Sequence, residues 1–474
     1  MITSSIFRYA DTHGSHESYK YFRRFFAGSM NTVVARLADM QIVVGDDYVP
    51  AHEGTSGAGV LERIVNIVVE SRDTGRMDEF FTLCLDYLQM YDLAMYLMEA
   101  KLVLTVETKG EHHVDVGAVY NDMGSVLDNQ LKYDLALDYY KRSLAIRIKL
   151  LGIDHEKVGG TYNNMGNVLS SQHKYDEAMV CYQKDFVITV KVFGKDHIYA
   201  SHSYNNMALV LEDQYKFDEA MECHRNALAI RVAAKDDENI GVSYNNMGGL
   251  LESQGKYDEA RDLFQKSIAL RVKVLGEDHS DLSGSYGGLA DVLKSQGKYD
   301  EAMDYQRKAL AINIAACGES HSYVGSTYTS MGKILQPQLK YDEAMTCFQK
   351  ALGILDQDDD EDSVADTYNG IANVHSGQGD YESAMSFYQK ALAIRLKLSS
   401  DPNVDVGETY LGLAQLAKKQ NHFAKAFDLY TKAVNMFKLT LGPDHHKTRD
   451  AIMHADQVRG TMAKDQGAMG RGAI

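Results

Sequence analysis

The chain has 474 residues, of which 45% are hydrophobic and 24% are charged, and these values are ordinary for a soluble folded protein. Its formal net charge of −17 argues against a general DNA- or RNA-binding protein and against binding to anionic membrane surfaces, because both need a basic face. No apolar run approaches the roughly 20 residues that span a bilayer, and the first residues lack the pattern of a signal peptide, so we expect a cytoplasmic protein.

The first 76 residues fit no repeat. Two stretches, 18–44 and 59–71, each predict a helix, and residues 46–59 predict a loop. The segment 1–76 is either a helical cap packed on the first repeat or a separate docking element, and the sequence leaves both open. It carries no catalytic motif and is short for a catalytic domain.

From residue 77 to residue 463 one phrase returns, with a less regular first copy at 77–104 and a clear one, TYNNMGNVLSSQHKYDEAMVCYQK, at 161–184. Its first tyrosine, here called the anchor tyrosine, recurs at intervals of 40 or 42 residues, and an alanine always follows sixteen residues later. A fixed period of this length predicts stacked hairpins, because each hairpin needs a neighbour to cover its apolar face. The anchor tyrosines are Tyr120, Tyr162, Tyr204, Tyr244, Tyr286, Tyr328, Tyr368 and Tyr410.

Each repeat predicts two helices, which we call A and B. In helix A, Tyr162, Met165 and Leu169 lie on one apolar face. Gly166 lies on the same face, where its missing side chain lets the second helix approach closely. In helix B the invariable alanine, here Ala178, lies where the two helices are expected to cross.

These residue types resemble the tetratricopeptide repeat, with large, large and small residues on helix A, followed by Gly-x-Tyr, Ala and an aromatic residue. The linker between repeats reads LGIDH at 151–155, LGEDH at 275–279 and LGPDH at 441–445, and this longer unit resembles the kinesin light chain repeats. The resemblance covers about residues 77–463. It implies an all-α fold, a right-handed α-solenoid of about nine hairpins with a C-terminal capping helix, followed by a flexible tail at 464–474.

Kinesin light chains carry an N-terminal heptad coiled coil that binds the heavy chain. This sequence has no run of three or more heptads. The resemblance therefore does not imply direct binding to a kinesin heavy chain.

No catalytic constellation is visible, so we expect a protein that is not an enzyme and that needs no cofactor or metal. The linker histidine recurs once per repeat, which predicts hydrogen bonding in loops or at helix caps, because metal ligands must gather round one ion. The acidic stretch 355–368 fails as an EF-hand loop at its sixth and twelfth positions. The linker histidines are His155, His197, His279, His321 and His445.

Helix B also carries polar residues. Asp185 occupies a small apolar position, and His224 and Gln306 each replace an aromatic residue. Because buried polar groups need partners, we expect these three side chains to lie at the rim. A cation recurs near the end of helix B, where the helix dipole favours it, and we assign it no ligand. These cations are Arg147, Arg231, Arg271 and Arg395.

A second stripe of helix A, beside its apolar face, is polar. With Tyr162 at zero on a helical wheel, Asn163 lies at about 100° and Asn167 at about 140°, whereas Asn164, at about 200°, is expected to face the edge between repeats. The resemblance implies that helix A lines a concave surface, where an amide offers donors and an acceptor to an extended peptide. The predicted peptide-binding residues are Asn121, Asn163, Asn167, Asn205, Asn245, Asn369 and Asn373.

Three functions are compatible with these features. The first is a non-catalytic adaptor, similar to kinesin light chain, that binds extended segments of other proteins in its groove and joins them to cargo or a complex in the cytoplasm or on the cytoskeleton. The alternative is a structural scaffold of a larger assembly, cytoskeletal or ciliary, without a dedicated peptide groove. The third is an enzyme whose chemistry lies in residues 1–76.

Overall fold

The computed structural model describes residues 91–356, 360–398 and 402–471, and these ranges are helical with no β-strand. The chain divides into two compact units, Met1–Gly194 and Lys195–Ile474. The predicted N-terminal segment and helix A of the first hairpin lie outside the described residues. The boundaries proposed for that segment, the repeat array and the C-terminal tail therefore stay predictions.

The first unit holds five described helices. The first of them is helix B of the irregular first hairpin, and the other four form two complete hairpins. They are α1 (Tyr91–Lys109), α2 (Val114–Asn129), α3 (Tyr133–Leu151), α4 (Glu156–Ser171) and α5 (Tyr175–Phe193).

The second unit holds six hairpins and one further helix in its described part. A short 3₁₀ helix, Gln336–Gln338, follows α12. The α-helices are α6 (Ile198–Asp213), α7 (Phe217–Ala234), α8 (Asp237–Ser253), α9 (Tyr257–Leu275), α10 (Leu282–Ser295), α11 (Tyr299–Cys317), α12 (Ser322–Leu335), α13 (Tyr341–Leu355), α14 (Glu361–Gln378), α15 (Tyr381–Leu398), α16 (Val404–Lys419), α17 (Phe423–Thr440) and α18 (His446–Arg471).

The packing inside each hairpin confirms the predicted roles of the small residues. Ala178 is fully buried between α4 and α5, as is the corresponding alanine of every other complete hairpin. A Cβ placed on Gly166 would lie 2.6 Å from the ring of Tyr182, so only glycine lets this ring lie flat on helix A. The two helices of each hairpin pack on each other and on the next hairpin, which gives a solenoid in each unit.

The turn from helix A to helix B places one residue in the left-handed region. In α4 this residue is His173, with φ of 59°, and the next N–H, that of Lys174, donates to the Leu169 carbonyl at 2.8 Å. This bond satisfies a carbonyl that the end of the helix leaves without an intrahelical partner. In the second unit Gly255 and Gly297 hold the same position with φ of 75° and 76°.

The linker histidines make the hydrogen bonds that the sequence predicts, four of them at the cap of the following helix and one within its loop. Nδ1 of His155 accepts from the Lys157 N–H at 3.1 Å, at the start of α4. The same bond, at 3.2 to 3.3 Å, is made by His197, His321 and His445. Nδ1 of His279 accepts from the Asp281 N–H at 3.3 Å, just before α10, so this histidine bonds within its loop. At each of the four caps, one of the four donors left open at a helix start is satisfied.

Within each unit the A helices of neighbouring hairpins contact one another, as α2 does α4 and as α8, α10, α12, α14 and α16 do in succession. Pairs of B helices make weaker contacts in the described ranges. The layer with the closer spacing lies on the inside of the curve, so the A helices line the concave side of each unit.

Candidate functional site

We call the inner stripe the set of positions one, five and eight residues after the anchor tyrosine on each A helix. In α8 these positions hold Asn245, Gly249 and Glu252, and the seven predicted asparagines all lie at the first or second of them. Charges meet across the concave side of the second unit, because Glu252 of α8 interacts electrostatically with Lys447 of α18 and Glu408 of α16. The inner stripe of this unit lies on its concave side, and we call the space on that side the lumen.

The first asparagine of the repeated phrase contacts the next A helix. Oδ1 of Asn121 accepts from Nδ2 of Asn164 at 3.4 Å, and Oδ1 of Asn205 accepts from Nδ2 of Asn246 at 3.0 Å. The expectation that Asn164 serves the edge between repeats is confirmed. The asparagine pair thus makes one inter-repeat bond, in which the first amide accepts and the second amide of the next hairpin donates.

The recurring arginines belong to the same contact, which the sequence analysis missed. Arg147 is only 7% exposed, and its Nη1 donates to Oδ1 of Asn121, to Oγ1 of Thr161 and to the Lys157 carbonyl. Arg231, Arg271 and Arg395 donate in the same way to Ser243, Ser285 and Thr409 at 2.7, 3.1 and 2.7 Å. The helix dipole is therefore not the main reason for these cations, because each one ties helix B to the next helix A.

A polar junction is the name we give to this cluster of an asparagine, an arginine and the hydroxyl that precedes the next anchor tyrosine. The three members coincide in four hairpins, and this correlation within one sequence is the signal that could have revealed it. Burial lowers the pKa of Arg147, Arg231 and Arg271. The hydroxyl and carbonyl acceptors offset that desolvation.

The asparagine amides keep an unused half after these contacts. Oδ1 accepts in Asn121, Asn205 and Asn245, while Nδ2 of each has no hydrogen-bond partner among the described residues. Asn369 is the reverse case, because its Nδ2 donates to Thr409 at 3.1 Å and its buried Oδ1 has no partner in the described ranges. Asn163 also interacts within the chain.

The asparagines at the second position of the inner stripe are more exposed than those at the first position. Asn167 and Asn373 accept from the hydroxyls of Tyr182 and Tyr388 in their own hairpins, at 2.7 and 2.5 Å. Burial raises the pKa of Tyr388, so this hydroxyl stays a donor at neutral pH. Both asparagines therefore also present Nδ2 donors at the surface of helix A.

The lumen of the second unit carries both signs of charge. Lys294 pairs with Asp291 at 2.6 Å, and Lys333 pairs with Asp366 at 2.5 Å. Burial raises the pKa of the Glu252 carboxyl, and the nearby Asp291 carboxylate raises it further. These opposite charges are thus already paired within the lumen. The Glu252 carboxylate is the exception, because burial and the Asp291 carboxylate both disfavour its charged form.

The three irregular residues of helix B are buried, so the expectation of a rim position is wrong. Asp185 is 8% exposed, His224 is fully buried and Gln306 is 3% exposed. Nε2 of His224 lies 2.5 Å from Oε1 of Glu212, which gives the buried imidazole a partner on its own helix A. A polar partner within the hairpin makes a buried position possible, and a wheel of one helix does not show it.

The described ranges contain no group of three or more histidine, cysteine, aspartate or glutamate side chains that could hold a metal ion. The four described cysteines, Cys181, Cys223, Cys317 and Cys347, are free thiols. None of the described helices is long and apolar enough to cross a membrane.

A family model described as tetratricopeptide repeat matches the chain in five segments, which together cover more than half of it. The segments are 115–184, 157–232, 239–315, 323–397 and 364–439. The chain belongs to the tetratricopeptide repeat family. No curated protein is significantly similar to this tetratricopeptide repeat chain in sequence.

Two solved structures of other proteins share the fold of this chain. Aspartyl phosphate phosphatase F from Bacillus subtilis is 15% identical, with 80% of this chain and 92% of that chain covered and a TM-score of 0.52. The apo form of RapI is 16% identical, with 60% and 99% covered and a TM-score of 0.51. A putative kinesin light chain from Podosopora anserina with nearly identical TPR-like repeats is 18% identical, with 43% and 97% covered. Its TM-score is 0.37.

Proposed function

We propose that the inner stripe of the second unit binds an extended segment of another protein, so that the chain works as a non-catalytic adaptor. The observation that carries this proposal is the state of the amides of Asn205, Asn245 and Asn373. In each of them Oδ1 accepts within the protein, and Nδ2 has no partner in the described part of the chain. Tetratricopeptide repeats generally serve protein interaction, which agrees with this use.

The bound segment is recognised through its acceptors. An extended backbone presents a carbonyl on each side at every second residue, and an amide N–H₂ supplies two donors. Because the amide oxygens already accept hydrogen bonds within the protein, the groove offers donors rather than donor–acceptor pairs. This narrows the expectation from the sequence, in which each amide would have matched both N–H and C=O.

The matched charges of the lumen favour the other candidate, a structural scaffold without a peptide groove. Lys294 and Lys333 are paired with carboxylates of the same unit, so they offer little attraction to an acidic or basic segment. Under this alternative the amides serve only the junctions between hairpins, and partners bind elsewhere.

Replacing asparagine by aspartate separates the two functions of the amide. Asn205→Asp together with Asn245→Asp keeps the oxygen that accepts from the next A helix but removes the Nδ2 donors. Linear peptides selected on the wild-type chain from a phage-displayed random library are the probes, and fluorescence anisotropy measures their affinity. We expect the double variant to bind these peptides at least about tenfold more weakly, since loss of one hydrogen bond is worth roughly that factor.

The control is Asn226→Asp, on the exposed side of α7. It adds the same kind of charge outside the inner stripe, and we expect wild-type affinity. Unchanged peptide affinity in the double variant, with its fold intact by circular dichroism, would exclude the groove and favour the scaffold.

A further inference from the structure

Two parts of the second unit that are far apart in sequence touch. Nε2 of His445, in the linker before α18, lies 2.8 Å from the Ser253 carbonyl at the end of α8, across 192 residues. The ring of His446 packs against Tyr257 with centroids 6.5 Å apart. It also lies so close to Gly255 that a Cβ there would be 2.9 Å from His446 Nδ1.

A second contact repeats this arrangement one hairpin earlier. Tyr215, in the turn between α6 and α7, lies beside Val404, the first residue of α16, and the Val404 N–H partly offsets the rise that burial causes in the pKa of the Tyr215 hydroxyl. In both contacts the A–B turn of one hairpin meets the start of the A helix five hairpins later or the residue just before it. The second unit therefore closes a superhelical turn on itself, and we call the two contacts together the seam.

The chemistry of the seam depends on neutral imidazoles. Nδ1 of His445 accepts from the Lys447 N–H at 3.3 Å, so the proton of the neutral ring lies on Nε2, which donates to the Ser253 carbonyl. Nδ1 of His446 is buried and has no partner among the described residues. A proton on that atom would be a buried donor without an acceptor, which is costly to keep.

We propose that the seam is a proton-sensitive latch, which encloses the lumen while His445 and His446 are neutral and opens when they are protonated. The two rings are 4.3 Å apart, so two charges here would repel each other strongly. They also lie at the start of α18, where the helix dipole disfavours cations. This inference stands whether or not the inner stripe binds a peptide.

The groups around the His445 and His446 rings determine how easily each imidazole is protonated. Lys447 and Arg449 oppose protonation of both rings, while Asp450 favours it in His446 and the Ser253 carbonyl favours it in His445. Glu252 and Glu408 face the same end of α18 through Lys447, and the aromatic rings of Phe217 and Tyr257 lie against His445 and His446, respectively.

Burial outweighs the favourable groups and lowers the pKa of His445 and of His446 below the ordinary value of 6.5. Their contribution to closure is therefore complete above about pH 6.5, the pKa in an open state, and is lost as the pH falls through the lowered values. The raised pKa of Glu252 acts in the opposite direction, because its protonation at lower pH relieves the closed state.

Hydrogen exchange of the full chain tests the latch at the turn 253–257. After correction for the intrinsic pH dependence of exchange, we expect these amides to exchange about tenfold faster at about pH 5.5 than at about pH 7.5, on either side of the ordinary imidazole pKa. His446→Phe keeps a ring in place but cannot be protonated, so the pH response should largely disappear. His445→Ala removes the tie to Ser253, so exchange should be fast at both pH values.

His321→Ala is the matched control. Its Nδ1 caps α12 in the same way, at 3.2 Å, but belongs to the middle of the unit. It should leave exchange at 253–257 as in the wild type. The latch is overturned if the wild-type turn shows no pH response, if His446→Phe keeps the full response, or if His321→Ala acts like His445→Ala.

A pair of glycines tests the seam from its other side. Gly255→Ala and Gly297→Ala place a side chain on the same left-handed backbone, with φ of 75° and 76°. Only the first meets His446, since a Cβ on Gly297 has open space around it. We expect faster exchange at 442–448 in Gly255→Ala alone. Equal exchange in the two variants would contradict the seam.

Discussion

The junction after α15 and the junction after α17 each join a helix B to the next helix A. The first does so with polar side chains and the second with apolar ones. At the first, Arg395 is 3% exposed and donates to the Asp405 carbonyl and to Thr409, which also accepts from Asn369. At the second, Phe437 is fully buried in a cluster with Ala451, and Leu411 packs against that cluster. Three polar positions have become three apolar ones.

The joint change explains where the asparagines of the repeated phrase occur. The junction after α17 holds Leu411, Phe437 and Ala451 at the positions where the junction after α15 holds Asn369, Arg395 and Thr409. The junction after α13 is intermediate, because it keeps a hydroxyl, Thr367, beside Leu355 and Thr329. In four hairpins the first asparagine therefore accompanies the arginine of its own hairpin, and there repeat packing is sufficient reason for a poor helix former in the middle of helix A. Asn163 is the exception, because its hairpin carries Thr189 in place of the arginine.

Moving an arginine into the apolar junctions should give the largest effect. Phe437→Arg would bury a cation beside Ala451, which offers no side-chain acceptor, and we expect it to lower the free energy of unfolding by about 4 kcal/mol. Leu355→Arg would meet the hydroxyls of Thr329 and Thr367, 2.7 Å apart in the wild type. We expect a loss of about 2 kcal/mol there, mostly from overpacking. Urea unfolding measures both.

The comparison of Leu355→Arg with Phe437→Arg is the informative quantity. If the two arginines destabilise the chain equally, the hydroxyl before the anchor tyrosine does not determine where an arginine is tolerated. The polar junction would then lose its physical basis.

Removing an arginine from a polar junction should have the next largest effect. Arg395→Ala empties a buried site and leaves the Asp405 carbonyl and Thr409 without their strongest donor, and we expect a loss of about 3 kcal/mol. Arg395→Met fills the same space without a charge, and we expect a loss of only about 1 kcal/mol, because a buried ionic cluster is often replaced by apolar groups at little net cost.

Hydrogen exchange near the start of α16 locates the effect, because repeats unfold locally. Equal losses in Arg395→Ala and Arg395→Met would show that the charge, rather than the volume, holds this junction.

Removing the hydroxyl that precedes the anchor tyrosine should have the smallest effect on the free energy of unfolding. Thr409→Val removes the acceptor shared by Arg395 and Asn369, and we expect a loss of about 2 kcal/mol. Thr367→Val removes a hydroxyl that, among the described residues, bonds to Thr329 and to the Ser363 carbonyl. We expect this change to lower the free energy of unfolding by about 1 kcal/mol. Thermal unfolding at a matched chain concentration compares them. A larger loss at Thr367 would reverse the proposed order of the two junctions.

The sequence predicted what is local to one hairpin. Gly166 admits the ring of Tyr182, the helix B alanine is buried where the two helices cross, and four linker histidines cap the next helix. Each of these depends on a spacing within a few turns of helix, which a periodic pattern shows directly. The tetratricopeptide repeat family and the all-α solenoid followed from the same pattern.

Contacts between hairpins were not predictable in the same way. The role of Arg147 depends on three residues from two repeats meeting at one point, and the position of Asn121 on a wheel cannot show that its oxygen is used there. The burial of His224 required knowing that Glu212 lies opposite. The seam joins His445 to Ser253, and no local pattern encodes a contact set by the curvature of five hairpins.

The most direct test of the account is an experimental structure of the chain bound to a linear peptide selected on the wild type. We predict that peptide carbonyls lie within about 3.2 Å of Nδ2 of Asn205 and Asn245, while Oδ1 of each still accepts from Asn246 and Ser285. A peptide bound away from the inner stripe, or one that takes the amide oxygens and breaks those inter-repeat bonds, would contradict the proposed function.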